Sequence, residues 1–377
     1  MDAILATKLF IPQPRPDVVM RPRLDAALDG IVRHKLTLLA APAGFGKTTA
    51  LGAWRATPAG GAAPLAWVSL DAGDNDPARF WSYVATALEA LHAGSGEPAL
   101  AGLRAPQAPP AETILVGIVN ALADLDRDAV LVLDDYHAIE TAAIHAALAF
   151  LLAHLPPRLH LVVASRFDPP LPLARLRAAG ALLELRSNEL RFTPAETARL
   201  LVDSLGLDLA PEDVSALAGR TEGWAAALQL AALSLRGRAD AHASIAAFAG
   251  SHRYLVDYLG DEVLARQSAE TQRFLLEVAI LDRLCGPLCD AVIERADGQA
   301  MLEWLERANL FIDPLDDERR WYRFHHLFGE FLRARAIALL PERLPALHAR
   351  ASLWLAQAGM TPEAIAHALA AGDIEEA

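Results

Sequence analysis

Apolar positions along this chain follow two different rules in its two halves. Up to about residue 190, short runs that are apolar on both faces alternate with stretches in which apolar residues recur every three or four positions. The runs are Leu36 to Ala40, Pro64 to Leu70, Ala129 to Leu133 and His160 to Ala164, with a fifth placed at Ala181 to Leu185. A segment apolar on both faces suits a parallel strand covered by helices on either side. The periodic stretches predict those helices: Leu24, Leu28 and Ile31 share one face, and Phe80, Trp81, Val84 and Leu88 share another. Asp76 can cap the second helix, with Pro77 in its first turn. A further amphipathic helix is predicted over Thr113 to Leu125, whereas Gly94 to Pro110, rich in Gly, Ala and Pro, reads as a surface loop. Strands alternating with helices make a parallel sheet with right-handed crossovers, so all the strand C-termini fall on one edge.

From Arg191 the pattern turns helical. Phe192 to Leu205, Asp213 to Gly219 and Trp224 to Arg236 are helical by period, and Thr193, Pro194 and Glu196 form a helix start. Helices follow at Tyr254 to Leu264, Ala269 to Leu281, Pro287 to Glu294 and Ala300 to Arg307. Two short extended pieces, Leu310 to Pro314 and Trp321 to Phe324, flank the charged turn DDERR, and helices followed by such a hairpin suggest a winged helix. HHLFGEFLRARAIALL continues it. From Leu344 two helices break at Gly359, with Thr361 as cap and Pro362 first in the second helix. One such pair cannot bury its own face, so the chain is expected to stop inside a longer superhelix. The expected architecture is an α/β P-loop nucleotide-binding domain over 1–190, a helical domain over 191–250, a winged helix over 251–336 and the start of an α-superhelix over 337–377.

Composition narrows the classes. With 377 residues and 53% hydrophobic content, more than one core can be built. No apolar run approaches the roughly 20 residues that span a bilayer, and MDAILATKLFIPQPRP lacks the basic flank and cleavage site of a signal peptide. A cytoplasmic protein without membrane contact is expected. Cys285 and Cys289, the only two cysteines, lack a nearby His or Cys partner and read as packed thiols. A net charge of -13 repels a phosphate backbone, so the chain by itself is not expected to hold nucleic acid strongly.

The chemistry concentrates where the first strand ends. Ala41, Pro42, Ala43, Gly44, Phe45, Gly46, Lys47, Thr48 and Thr49 form a loop opening a helix, close to the pattern G-x-x-x-x-G-K-[ST] with Ala41 in the first glycine's place. Gly44 and Gly46 let backbone amides face phosphate oxygens, Lys47 would reach the β and γ phosphates, and Thr48 would hold Mg²⁺. An ordinary strand-to-helix turn would leave the lysine exposed. Asp134 and Asp135 end the third strand: Asp134 is the candidate Mg²⁺ ligand and Asp135 the candidate to orient or deprotonate water. A turn or cap is the alternative for an acidic pair. Arg166, after the fourth strand, could sense the γ-phosphate. The opening strip, with Pro12, Pro14, Pro16 and Pro22, cannot be helical, and it either walls a base pocket or merely tethers the N-terminus.

Together these segments resemble the MalT-like regulators, large LuxR-type activators within the STAND class of P-loop ATPases. TKLFIPQPRPDVVMRPRL, APAGFGKTT, WVSLDAGDNDPARFWSY, LVLDDYH, VVASRFDPPLPLARLR, TEGWAAALQLAALSL and ANLFIDPLDDERRWYRFHHLFGEFLR carry the likeness over nearly the whole chain. The resemblance implies ATP and ADP with Mg²⁺ as ligands, and Val19, Met20 and Arg21 at the adenine. It implies Arg166 as sensor arginine and His325 as the winged-helix histidine reaching the β-phosphate of ADP. The family's usual aspartate after that histidine is His326 here, and its G-x-P element reads Gly223, Trp224, Ala225. It further implies an ADP-bound closed state, self-association with ATP, slow hydrolysis and an inducer bound by the C-terminal superhelix. DNA would be read only by a C-terminal helix-turn-helix outside this chain. A free-standing ATPase acting on another protein, and a nucleotide-bound scaffold that does not hydrolyse, are the alternatives.

Overall fold

The computed structural model describes residues 4–14, 18–105, 110–236 and 241–372, so Pro16 and positions 106–109 of the expected loop lie outside the described residues. The chain divides into two compact units, Met1–Arg191 and Phe192–Ala377.

The first unit is built on five parallel strands: β1 Leu36–Ala40, β2 Leu65–Ser69, β3 Ala129–Asp134, β4 Leu159–Ser165 and β5 Leu182–Arg186, in the order β2-β3-β4-β1-β5. Every residue of β1, β3 and β4 is buried, as their two-faced apolar sequences require. Their registers align the C-terminal ends, with Ala40 beside Ser165 and Ser69 beside Asp134. Because β1, β4 and β3 are neighbours, the turns that follow them emerge side by side.

Phe80, Trp81, Val84 and Leu88 of the helix Pro77–Leu91 lie in the core with Leu115, Ile118 and Leu122 of Ala111–Leu122. Asp76 caps the former by accepting a hydrogen bond from the Arg79 amide at 2.8 Å.

One expectation fails between these helices. Glu97–Arg104, part of the expected surface loop, is a helix. Pro98 occupies its first turn, where a missing N–H costs nothing, and Ala99 is fully buried while Leu100 and Leu103 pack on the core. The approach is close. A Cβ on Gly96 would lie 2.0 Å from the carbonyl oxygen of Ala85, whereas one on Gly117 would meet only Pro98 at 3.7 Å. Gly96→Ala should therefore destabilise the chain by ~1–3 kcal/mol through overpacking, and Gly117→Ala should leave it unchanged or raise stability by up to ~1 kcal/mol through helix propensity. Thermal unfolding of the two variants checks this: equal melting temperatures would contradict the close contact.

The second unit begins with Pro194–Ala198, opened by a Thr193–Glu196 capping box, and continues as a π-turn over Arg199–Ser204. Helices Pro211–Thr221, Ala225–Leu235 and Ala241–Ala246 follow. Three helices, Ala269–Val278, Gly286–Ile293 and Gly298–Arg307, precede an antiparallel hairpin of β6 Ile312–Pro314 and β7 Tyr322–Phe324, with Ile312 opposite Phe324. This is the expected winged helix, followed by His326–Leu339.

The last pair, Leu344–Gln357 and Thr361–Ala371, turns at Gly359 with φ +75°. Met360, not Thr361, holds the cap position, so Thr361 opens the second helix without a side-chain cap. Both cysteines are buried free thiols, Cys285 just before Gly286–Ile293 and Cys289 within it, and burial raises both above the usual thiol range. Among the described residues no helix is long and apolar enough to cross a membrane, and no cluster of three His, Cys, Asp or Glu side chains could hold a metal.

Candidate functional site

After β1 the chain turns through Pro42 to Gly46 before entering the helix Lys47–Arg55. The left-handed positions of this turn are Gly44 (φ +77°) and Gly46 (φ +78°); Ala41 is not one of them, which is why a methyl group is tolerated there. Ala41, Pro42, Ala43 and Phe45 are buried, and Thr49 is exposed in the first helical turn. No side chain caps this helix, which leaves its start suited to an anion.

Lys47 is not a surface lysine. Only 7% exposed, it folds its ammonium back over the turn and donates to the carbonyls of Ala41 at 2.7 Å and Pro42 at 3.1 Å. Burial pulls it down to about 8. Asp135 and Asp134 oppose that shift, and the positive charge of Arg166 adds to it.

The acidic pair has divided roles. Asp134 is 3% exposed; its Oδ2 accepts from the Thr48 hydroxyl at 2.8 Å and its Oδ1 from the Asp135 amide at 3.0 Å. Burial first, and the neighbouring Asp135 second, push Asp134 up to about 6 against the help of Thr48 and Lys47. Asp135 sits in the left-handed region at φ +55°, with its carboxylate half exposed and 3.7 Å from Nδ1 of His137. Arg166 follows β4, and the next residue, Phe167, places its ring edge-on to His137 at 6.2 Å. Lys47, Thr48, Asp134, Asp135 and Arg166, far apart in the chain, thus share one end of the sheet.

Charge shows what this group fits. An ammonium held only by carbonyls and a carboxylate driven toward neutrality are both out of balance with their surroundings. A phosphate chain would favour the charged form of Lys47 and a divalent cation that of Asp134, so a nucleotide with Mg²⁺ matches the donor set.

The three strip residues differ in their surroundings. Val19 is buried and Met20 is 55% exposed. Arg21 is buried, and its guanidinium donates to the carbonyls of Leu190 at 2.9 Å and Arg191 at 2.6 Å. Arg23 donates to Glu189 and Arg191 in the same way. Both arginines therefore tie the strip to the last residues of the first unit.

Further upstream, Lys8 is buried against Asp74 at 2.5 Å and Asp71 at 2.7 Å. Sequence reasoning missed this lysine. Its two acidic partners lie more than 60 positions downstream, beyond the reach of any periodic signal.

In the second unit His325 is buried, its Nε2 3.1 Å from the carbonyl of Thr221. A carbonyl only accepts, so Nε2 carries the proton in that contact. The ring stands edge-on to Trp224 and Phe311. Gly223, first residue of the G-x-P-like element, is compelled twice: φ is +71° and a Cβ would lie 2.2 Å from the Phe192 carbonyl oxygen.

Beside it Glu222 forks onto Arg323 at 2.9 and 2.8 Å and accepts from the His326 amide at 3.0 Å. Burial opposes its charge, but Arg323 and the neighbouring groups outweigh burial and hold the carboxyl at about 2.

Known proteins resemble this chain over most of its length. The MalT winged helix domain family matches residues 260–344. Over 373 residues, covering 98% of this chain and 41% of the relative, the chain is 40% identical to the HTH-type transcriptional regulator MalT of Klebsiella pneumoniae. It is 37% identical over 368 residues to the serine/threonine-protein kinase PknK of Mycobacterium tuberculosis, covering 98% of this chain and 33% of the kinase. Among solved structures, a Walker-type ATPase of Pyrococcus abyssi superposes with a TM-score of 0.56 at 14% identity, over 85% of this chain and 98% of that one. The chain thus spans about two-fifths or less of the curated relatives it matches, and the structural likeness shows a shared fold.

Proposed function

Since this chain is MalT-like over nearly its whole length, with a P-loop ATPase fold and a MalT-type winged helix, we propose that it works as a nucleotide-operated switch that binds ADP and ATP with Mg²⁺ and hydrolyses ATP slowly. The observation that carries this reading is the 2.8 Å contact between Thr48 and Asp134, which joins the phosphate loop to the acidic strand end. Those two residues would hold Mg²⁺, which when bound neutralises phosphate charge and polarises the γ-phosphoryl group.

The chain's own groups have separable tasks. Gly44 and Gly46 shape a turn whose amides donate to phosphate oxygens. Lys47 exchanges two carbonyl partners for phosphate oxygens, and Arg166 registers the γ-phosphate from the neighbouring strand end. Asp135, more exposed than Asp134, orients or deprotonates the attacking water.

A nucleotide biases a conformational equilibrium only through different affinities for its states. We assign that difference to His325 and the winged helix around it, with ADP favouring a closed state and ATP a self-associating one. The finer division at residues 250 and 336, an inducer bound by the superhelix that 337–377 would begin, and DNA contact through a separate helix-turn-helix belong to the same proposal, as does a cytoplasmic location.

The kinase relative favours a second reading, in which the same switch governs an output other than transcription. A free-standing ATPase would differ from both by rapid steady-state turnover of this chain alone.

Purified protein should retain ADP, released on denaturation and identified chromatographically. Nucleotide-free protein that gives no calorimetric heat with Mg·ADP or Mg·ATP would overturn the proposal.

A further inference from the structure

Asn75 lies in the turn between β2 and the helix Pro77–Leu91, outside the phosphate loop and the acidic pair. Its side-chain amide is fully engaged. Nδ2 donates to the carbonyls of Ala138 at 2.8 Å and Ala72 at 3.1 Å. Oδ1 accepts from the amides of Glu140 at 2.7 Å and Thr141 at 3.1 Å and lies 3.2 Å from the Thr141 hydroxyl, which donates to the Asn75 carbonyl at 2.7 Å. One residue therefore holds both the donor and the acceptor sides of the segment 138–141.

That segment ends the turn in which Asp135 stands. At its other end the turn is fixed by the sheet, where the amide of Leu70 donates to the Asp134 carbonyl at 3.0 Å. Between the anchors Asp135 adopts φ +55° and a single turn of 3₁₀ helix, Tyr136–Ala138, follows. A left-handed non-glycine residue persists only where its surroundings over-determine it, and its carboxylate is aimed by that backbone. Tyr136 and Ile139 are buried and cannot shift to compensate if one anchor is lost.

The anchor is itself stiff. Asp71 and Asp74 close a capping box around Ala72–Asn75, and Asp74 binds Lys8 and Arg79.

We infer that Asn75 is a positioning residue for the hydrolytic carboxylate, setting the backbone from which Asp135 addresses water. This rests on the hydrolytic reading above. Hydrogen-bonded supports of this kind change turnover by ~10- to 100-fold when removed, with less effect on binding. A merely structural asparagine would lower stability and leave the ratio of turnover to affinity alone.

The test is single-turnover hydrolysis of Mg·ATP by the full chain, with ADP affinity measured in parallel, for wild type, Asn75→Ala, Asn75→Asp, Asp135→Ala and the double variant Asn75→Ala/Asp135→Ala. Asn75→Ala should hydrolyse about tenfold more slowly with ADP affinity within about twofold of wild type. Asn75→Asp keeps the acceptor for Glu140 and Thr141 but loses the donor to Ala138, and should fall between the two; it carries the test should the alanine variant fail to fold. The double variant should be no slower than Asp135→Ala, because Asn75 acts through Asp135. Wild-type turnover in Asn75→Ala or Asn75→Asp, or a double variant slower by the full additional factor, would overturn the assignment of Asn75 and leave the hydrolytic reading standing. Wild type no faster than Asp135→Ala would overturn the hydrolytic reading itself, and the assignment of Asn75 with it.

Discussion

Lys47→Ala is expected to weaken Mg·ADP and Mg·ATP binding by at least ~100-fold, because truncating one partner of a buried charge pair costs roughly 2–5 kcal/mol. The lysine is buried and its present partners are two carbonyls of its own loop. Neither carbonyl neutralises it, so phosphate is a better partner than the one it has. The same argument fixes a pH dependence. Without nucleotide the ammonium loses its proton near pH 8, whereas bound phosphate favours the charged form. Binding above pH 8 must then take up a proton, and affinity must fall as pH rises through that value. Calorimetry at pH 7 and pH 9, in buffers of different ionisation enthalpy, reads both the affinity and the proton. Unchanged affinity in the alanine variant would end the reading of residues 41–49 as a phosphate loop.

Asp134→Asn should act in opposite directions on stability and on turnover. Burial and Asp135 raise this carboxyl from 3.8 to about 6. Between those values the native chain binds more protons than the unfolded one, so its stability falls as pH rises from about 4 to 6, and the penalty is complete above pH 6. At pH 7 the penalty is about 3 kcal/mol. Asparagine removes the charge, keeps the size, and can still bond the Thr48 hydroxyl, so the nucleotide-free variant should melt higher than wild type. It should also hydrolyse ATP ~100-fold more slowly, having lost a metal ligand. A variant that melts lower and turns over normally would show Asp134 to be a cap, the alternative open to any acidic pair.

How much of this was legible depended on whether one local rule decided the outcome. β1, β3 and β4 carry two-faced apolar runs, and nothing competes with burial on both sides, so their extents come out within a residue or two of expectation. The helix Glu97–Arg104 was hidden by composition. Gly94, Gly96, Pro98, Gly102 and the alanines around them punctuate a loop in most settings, but here proline sits in the first turn and the small residues permit close helix packing. The winged hairpin was visible as two extended pieces around a charged turn. At the site, the phosphate loop and the aspartates were motifs, whereas Arg21, Lys8 and Asn75 each have partners 63 to 170 positions away. Spacing within a motif carries no record of such contacts; they follow from topology alone.

The grip of Arg21 and Arg23 on the carbonyls of residues 189–191 bears on how the first unit is made. β1 emerges early from the ribosome, yet one of its two edges is covered only by β5, among the last pieces of the unit to be synthesised. Until residue 191 has cleared the exit tunnel, a strand destined for full burial keeps an unpaired edge and two arginines lack these carbonyl acceptors. Nascent chains arrested near residue 180 should therefore engage chaperones or protease, and those extended past residue 200 by the tunnel's length should not.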